Sequence, residues 1–152
     1  MESRQRTAVR VLLVNDRGEV LLFRGFDPAE PGVRYWFTPG GGVDPGEHGA
    51  DAAARELFEE TGLVVTAAEI GQPVHHDVTR YSFDGVHYRQ EQDFYLVRVS
   101  NWQVDTSGFD EIEAATMDSH RWWSIDELSV AREAYYPEDL LDVLKRLGIE
   151  PC

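Results

Sequence analysis

The sequence predicts an α/β sandwich, a sheet covered by helices, on three observations. Short apolar or alternating runs bounded by turn residues recur along most of the chain, which is how strands read. Residues 48–61 carry a helical hydrophobic period and end on Gly62, placed to act as a C′ stop. A second helical stretch, residues 138–147, lies between Pro137 and Gly148.

The elements follow in order. Residues 7–14 form an apolar strand, Asn15-Asp16-Arg17-Gly18 a turn and residues 19–23 a return strand, together a hairpin. Residues 25–34, with two prolines and two glycines, read as a loop. Tyr35-Trp36-Phe37-Thr38 is a short aromatic strand ending at Pro39, and residues 40–46 form a glycine-rich loop before the first helix. Strand-like stretches follow at 63–67, 78–83, 86–99 and 121–124, with Asp84-Gly85 as a two-residue hairpin turn. With no linker or repeat in sight, residues 1–152 are expected to form one domain.

Charge and composition narrow the partners. The chain has 152 residues, 14 basic against 28 acidic, a net charge of −14, with 42% hydrophobic and 28% charged residues. Such a balance repels nucleic-acid backbones and anionic lipid, and no basic tract offsets it, so neither a nucleic-acid polymer nor a membrane is expected as partner. No apolar run is long enough to span a bilayer, the first residues carry no secretory signal, and the lone Cys152 cannot form an internal disulfide. Those features fit a cytoplasmic location. The acid excess has two readings, a well-solvated surface or carboxylates gathered around divalent cations, and local spacing must separate them.

On a helix, with Glu56 at zero, Glu60 falls at about +40° and Glu59 at about −60°, one narrow acid stripe. Ala50, Ala53, Ala54, Leu57, Phe58 and Thr61 fill the arc from about 60° to 200°, the face expected to meet the sheet. Like charges at this spacing destabilise a bare helix; a hard divalent cation would reverse the sign.

The surroundings of that stripe decide its reading. Gly41 is followed after five residues by Glu47, and after seven more by Arg55-Glu56-Leu57-Phe58-Glu59-Glu60-Thr61-Gly62-Leu63. This resembles the signature of the Nudix hydrolases, with every specified position filled across residues 41–63. The resemblance implies the Nudix fold, a mixed β-sheet sandwiched between helices (α-β-α). It also implies Mg²⁺-dependent hydrolysis, Mn²⁺ being an alternative ion, of a phosphoanhydride in a small nucleoside diphosphate linked to another group. By the same resemblance the Gly40 carbonyl, Glu56, Glu59 and Glu60 hold metal, with Glu59 a third ligand or a base through water. Gly41, Glu47 and Arg55 organise the site. Relatives often pair, so a homodimer is a further expectation, with the exposed member of Trp122 and Trp123 suited to an interface.

Other positions are less sharply marked. In branches of the family a glutamate outside the motif activates water, and Glu111 and Glu113 stand where that base is sought, with Glu91 and Asp93 weaker candidates. Arg24, Arg34, Arg80 and Arg89 are cations that could meet phosphate, against the commoner fate of a surface ion pair. Trp36 could stack a base, although core packing is the commoner role of an aromatic beside a buried strand. His75, His76 and His120 are at no metal spacing with a cysteine and read as solvated or structural. Two other readings remain: a Nudix-fold module that senses a nucleotide without cleaving it, and an isoprenoid diphosphate isomerase, which would want a cysteine nearer the site than Cys152.

Overall fold

Strand β1 (Arg4–Val14) is the spine of the sheet because its apolar run is continuous. Leu12 and Val14 enter one core while Val9, Val11 and Leu13 enter another, as expected of a strand buried on both faces. The computed structural model describes residues 3–150, so Cys152 and the expectation attached to it lie outside the described residues. The strands β2 (Val20–Gly25), β3 (Tyr35–Phe37), β4 (Gly40–Gly42), β5 (His75–Phe83), β6 (Val86–Arg98), β7 (Met117–Trp123) and β8 (Tyr135–Tyr136) join β1 in one mixed sheet. Its path is β5-β6-β1-β2-β3-β8, with β4 on β1 and β7 on β2. The β1·β6 and β3·β8 pairs are parallel and the others antiparallel.

Helix α1 (Gly49–Thr61) covers one face together with α2 (Ala67–Ile70). Ala52, Ala53, Leu57 and Ile70 pack there on Val11, Leu21, Phe23, Tyr95 and Val97. On the other face α4 (Ile125–Ser129) and α5 (Leu140–Arg146) bring Ile125, Leu128, Leu140, Val143 and Leu144 onto Leu12, Leu22, Phe94 and Trp123. The short α3 (Glu111–Thr116) precedes β7. The two tryptophans divide as alternation requires: Trp123 is buried against Trp36 in one core, and Trp122 leans half-buried on the other. No helix among the described residues is long and apolar enough to cross a membrane.

One feature of the sheet positions the site. β1 pairs with β2 at Val14↔Val20, and at Ala8, Val9 and Arg10 the same edge takes β4 instead. β3 rests on β2, so Thr38 and Pro39 carry the chain across a fork between two arms of the sheet.

Several expectations are corrected here. Residues 63–67 form no strand, because Thr66 and Glu69 close a reciprocal capping box that starts α2. Residues 40–42 are a strand rather than open loop, held by the β1 edge that β2 vacates. Residues 110–113, to which the sequence assigns no element, start α3, capped by Asp110 and Glu113. The strand expected at 121–124 begins at Met117, and Ser124 with Glu127 caps α4. Phe58, expected on the buried face of α1, is 53% exposed, whereas Glu56 and Glu60 are buried. The buried arc of that helix runs from Ala52 at about −40° to Thr61 at about +140°, so part of the acid stripe lies inside it.

Candidate active site

The fork brings β4, the second half of α1 and α3 together. Glu60 is fully buried; its Oε1 accepts the Gly40 N–H at 2.8 Å, and its Oε2 has no hydrogen-bond partner among the described residues. Glu56, one turn earlier and 8% exposed, accepts from Arg55 at 3.0 Å. Glu113, half-buried on α3, completes a group in which one carboxylate oxygen from each residue lies within 4.8 Å of the others. Burial pushes the Glu60 carboxyl well above the usual carboxylate range, and the neighbouring Glu113 and Glu56 push the same way. Glu56 is also raised by burial, against the pull of Arg55.

A buried carboxylate oxygen without a donor, facing two more carboxylates, costs several kcal/mol when ionised, and either a proton or a bound cation removes that cost. The donor set is all oxygen, which suits a hard divalent cation such as Mg²⁺ or Mn²⁺. Glu56, Glu60 and Glu113 therefore fit such an ion, with the Gly40 carbonyl on the adjoining backbone.

Arg55 ties the loop to the helix. Its guanidinium donates to both oxygens of Glu47 at 2.9 Å, to the Gly42 carbonyl at 3.0 Å and to Glu56. This fork holds the Glu47 carboxyl below its ordinary range, and the carboxylates in turn raise Arg55. Glu59, more exposed, stands 3.5 Å from the same guanidinium. Two glycines allow the close approaches. A Cβ on Gly41 would lie 2.6 Å from Glu56 Oε1, and one on Gly108 would lie 2.5 Å from the Glu59 carbonyl, where the loop leading to α3 crosses α1. Gly41→Ala is expected to displace the Glu56 carboxylate and weaken activation by metal about 10–100-fold, read from the metal concentration that gives half-maximal rate.

The other sequence candidates are dispersed. Glu111 is exposed and outside the acidic group. Arg24 pairs with Glu133 at 2.8 Å and Asp118 at 3.0 Å, and Arg34 pairs with Asp118 at 2.7 Å while stacking on Phe26. Trp36 is a core residue whose indole N–H donates to Glu133. Arg80 is exposed on β5 directly opposite Arg89, which reaches Gln5. Glu91 is exposed, and Asp93 pairs with His76.

Sequence reasoning missed Arg10. Its side chain leaves β1 beside the fork and donates to two neutral acceptors, the Thr38 carbonyl at 3.1 Å and Gln92 at 3.4 Å. Burial lowers its pKa, and the charge of Glu60 offsets part of that. The available signal was an arginine inside an otherwise apolar strand.

Comparison with known proteins agrees with this architecture. The chain is 34% identical over 136 residues to an RNA pyrophosphohydrolase of Rhodopseudomonas palustris (strain BisB18), covering 81% of this chain and 76% of that one. It is 38% identical over 100 residues to an RNA pyrophosphohydrolase of Nitrobacter winogradskyi, covering 61% of this chain and 59% of the relative, so that match spans under two thirds of the relative's length. Among solved structures, a MutT protein from Methanosarcina mazei Go1 superposes with a TM-score of 0.69 at 20% identity, covering 97% and 96% of the two chains. The E. coli dihydroneopterin triphosphate pyrophosphohydrolase gives 0.66 at 15% identity, with 95% and 97% covered, a likeness of fold. The model of the NUDIX domain matches residues 4–146, a span that holds the forked sheet, the Arg55 hub and the buried glutamates alike, and the chain therefore belongs to that family.

Proposed function

We propose that the protein is a Mg²⁺-dependent pyrophosphohydrolase, with Mn²⁺ as an alternative ion, acting on a phosphoanhydride bond of a nucleoside diphosphate linked to another group. The observation that carries this reading is the orphaned, fully buried Glu60 Oε2 facing Glu56 and Glu113. A divalent cation held there supplies the positive charge that a diphosphate anion needs near it and makes a neighbouring water more acidic.

The chain's own residues then divide the work. Glu56, Glu60 and the Gly40 carbonyl hold the ion, and Arg55 and Glu47 keep Glu56 and the loop in place. Of the three carboxylates that could meet the ion, Glu113 comes from a separate element and takes the proton of the attacking water instead of serving as a ligand. Arg10, which meets no carboxylate within hydrogen-bond distance among the described residues, offers its guanidinium to a substrate phosphate oxygen. Glu113→Gln is expected to lower kcat by about 10²–10⁴-fold, and Glu111→Gln to stay near the parent rate. A steady-state comparison of the two variants separates a base on the inner face of α3 from one on its exposed side.

The names of the relatives favour a second reading in which the nucleotide is an RNA end. The net charge of −14 weighs against a polymer, whose backbone would be repelled outside the metal site. One experiment tests both: release of phosphate, pyrophosphate or nucleoside monophosphate from a nucleotide panel and from a 5′-triphosphorylated RNA, with Mg²⁺ and with EDTA. Metal-dependent release from small nucleotides supports the main reading, and turnover of the RNA alone supports the second. Nucleotide binding with no release from any substrate leaves the sensing module instead.

A further inference from the structure

We propose that His75, Asp77 and Asp139 form a second divalent-cation site, of the Zn²⁺ or Co²⁺ class, between the start of β5 and the start of α5. This proposal is independent of the hydrolase reading. His75 and Asp77 are two apart on a strand and share a face, and Asp139 precedes α5 far along the chain. One ligand atom from each lies within 4.8 Å of the others.

Each side chain has an atom left over. His75 Nε2 is buried with no hydrogen-bond partner among the described residues, and Asp77 Oδ2 is 3.8 Å away, too far for a hydrogen bond. The other oxygen of Asp77 is held by the Gln92 side-chain amide at 2.8 Å, which fixes the carboxylate and leaves Oδ2 turned toward the histidine. Asp139 stands at the N-cap position of α5 yet makes no side-chain cap hydrogen bond. An imidazole nitrogen with two carboxylates suits zinc or cobalt better than magnesium, and the two negative charges balance the ion.

Arg146 sets a condition on binding. Its Nη2 lies 2.8 Å from His75 Nδ1, and a guanidinium can only donate, so Nδ1 accepts and the resting neutral ring carries its proton on Nε2. A cation bound at Nε2 takes that proton's place. The proton moves to Nδ1, none is released, and Nδ1–H can no longer face a donor. Arg146, exposed on the last turn of α5, then swings aside. The arginine therefore competes with the cation through both charge and tautomer.

The test uses the metal-free full chain and Zn²⁺ alone. In equilibrium dialysis the parent should bind one more equivalent of Zn²⁺ than Asp139→Asn, and Glu60→Gln should retain that extra equivalent. Arg146→Ala should bind it more tightly than the parent. The imidazole ¹⁵N spectrum of the parent needs no variant: the proton seen on His75 Nε2 should give way to a metallated Nε2 and a protonated Nδ1 as Zn²⁺ is added. Equal stoichiometry in the parent and Asp139→Asn, or a His75 spectrum unchanged at saturating Zn²⁺, overturns the site. Affinity unchanged in Arg146→Ala overturns the role given to that arginine.

Discussion

Replacing Glu60 with glutamine is expected to abolish turnover while raising the melting temperature of the metal-free protein. The two effects share one cause. Glu60 is fully buried, and a single backbone N–H meets its carboxylate. Burial raises its folded-state pKa above the unfolded value, so the folded chain keeps the proton to higher pH than the unfolded chain does. Stability of the metal-free protein therefore falls as pH rises from the ordinary carboxylate range through that raised value. The amide variant keeps an acceptor for the Gly40 N–H and carries no charge, so the share of this fall that Glu60 contributes should be missing from it, while that of Glu56 remains. A gain of about 1–2 kcal/mol near neutral pH corresponds to roughly 2–8 °C for a chain of this size. Turnover should drop about a thousandfold or more, because losing a charged ligand removes several kcal/mol of charge stabilisation. Calorimetry in EDTA between acid and neutral pH, beside a rate assay in Mg²⁺, checks both halves. An inactive variant that is less stable than the parent at neutral pH would mean that Glu60 is a structural acid.

Arg55→Ala is expected to damage both loop and site. The guanidinium spans Glu47, Glu56 and the Gly42 carbonyl, and its removal leaves Glu56 buried without its partner. A loss of about 2 kcal/mol in stability should accompany a fall in activity, since hydrogen bonds to charged groups are among the stronger ones. Arg55→Lys should recover little. An ammonium is a point donor and cannot reproduce a planar fork that reaches three acceptors. Chemical denaturation together with kcat/KM for the two variants decides this. Full recovery by lysine would show that charge alone matters at this position.

Much of this arrangement was legible in the residues themselves. The apolar run after the Asn15–Gly18 turn located β2, strand-like stretches located β5 and β6, Asp84-Gly85 marked the hairpin turn between those two, and Gly62 marked the end of α1. The three short helices α2, α3 and α4 were missed, although each opens with a capping box, Thr66/Glu69, Asp110/Glu113 and Ser124/Glu127. Segments of four to six residues carry too little hydrophobic period to register, so the caps were their only local signal. The wheel of α1 misplaced Phe58 because an apolar count assigns glutamates to solvent, whereas Glu56 and Glu60 enter the fork of the sheet. The meeting of Glu113 with Glu60, and of His75 with Asp139, had no local signature at all. Those contacts depend on how loops of this length return across the sheet, which only the tertiary structure determines.

Diffraction from crystals grown with Mn²⁺, recorded near the manganese edge, tests the acidic centre most directly. The expected result is an anomalous peak among the carboxylates of Glu56, Glu60 and Glu113, absent from crystals of Glu60→Gln. No peak at that position, with the three side chains turned away from one another at saturating Mn²⁺, would contradict it.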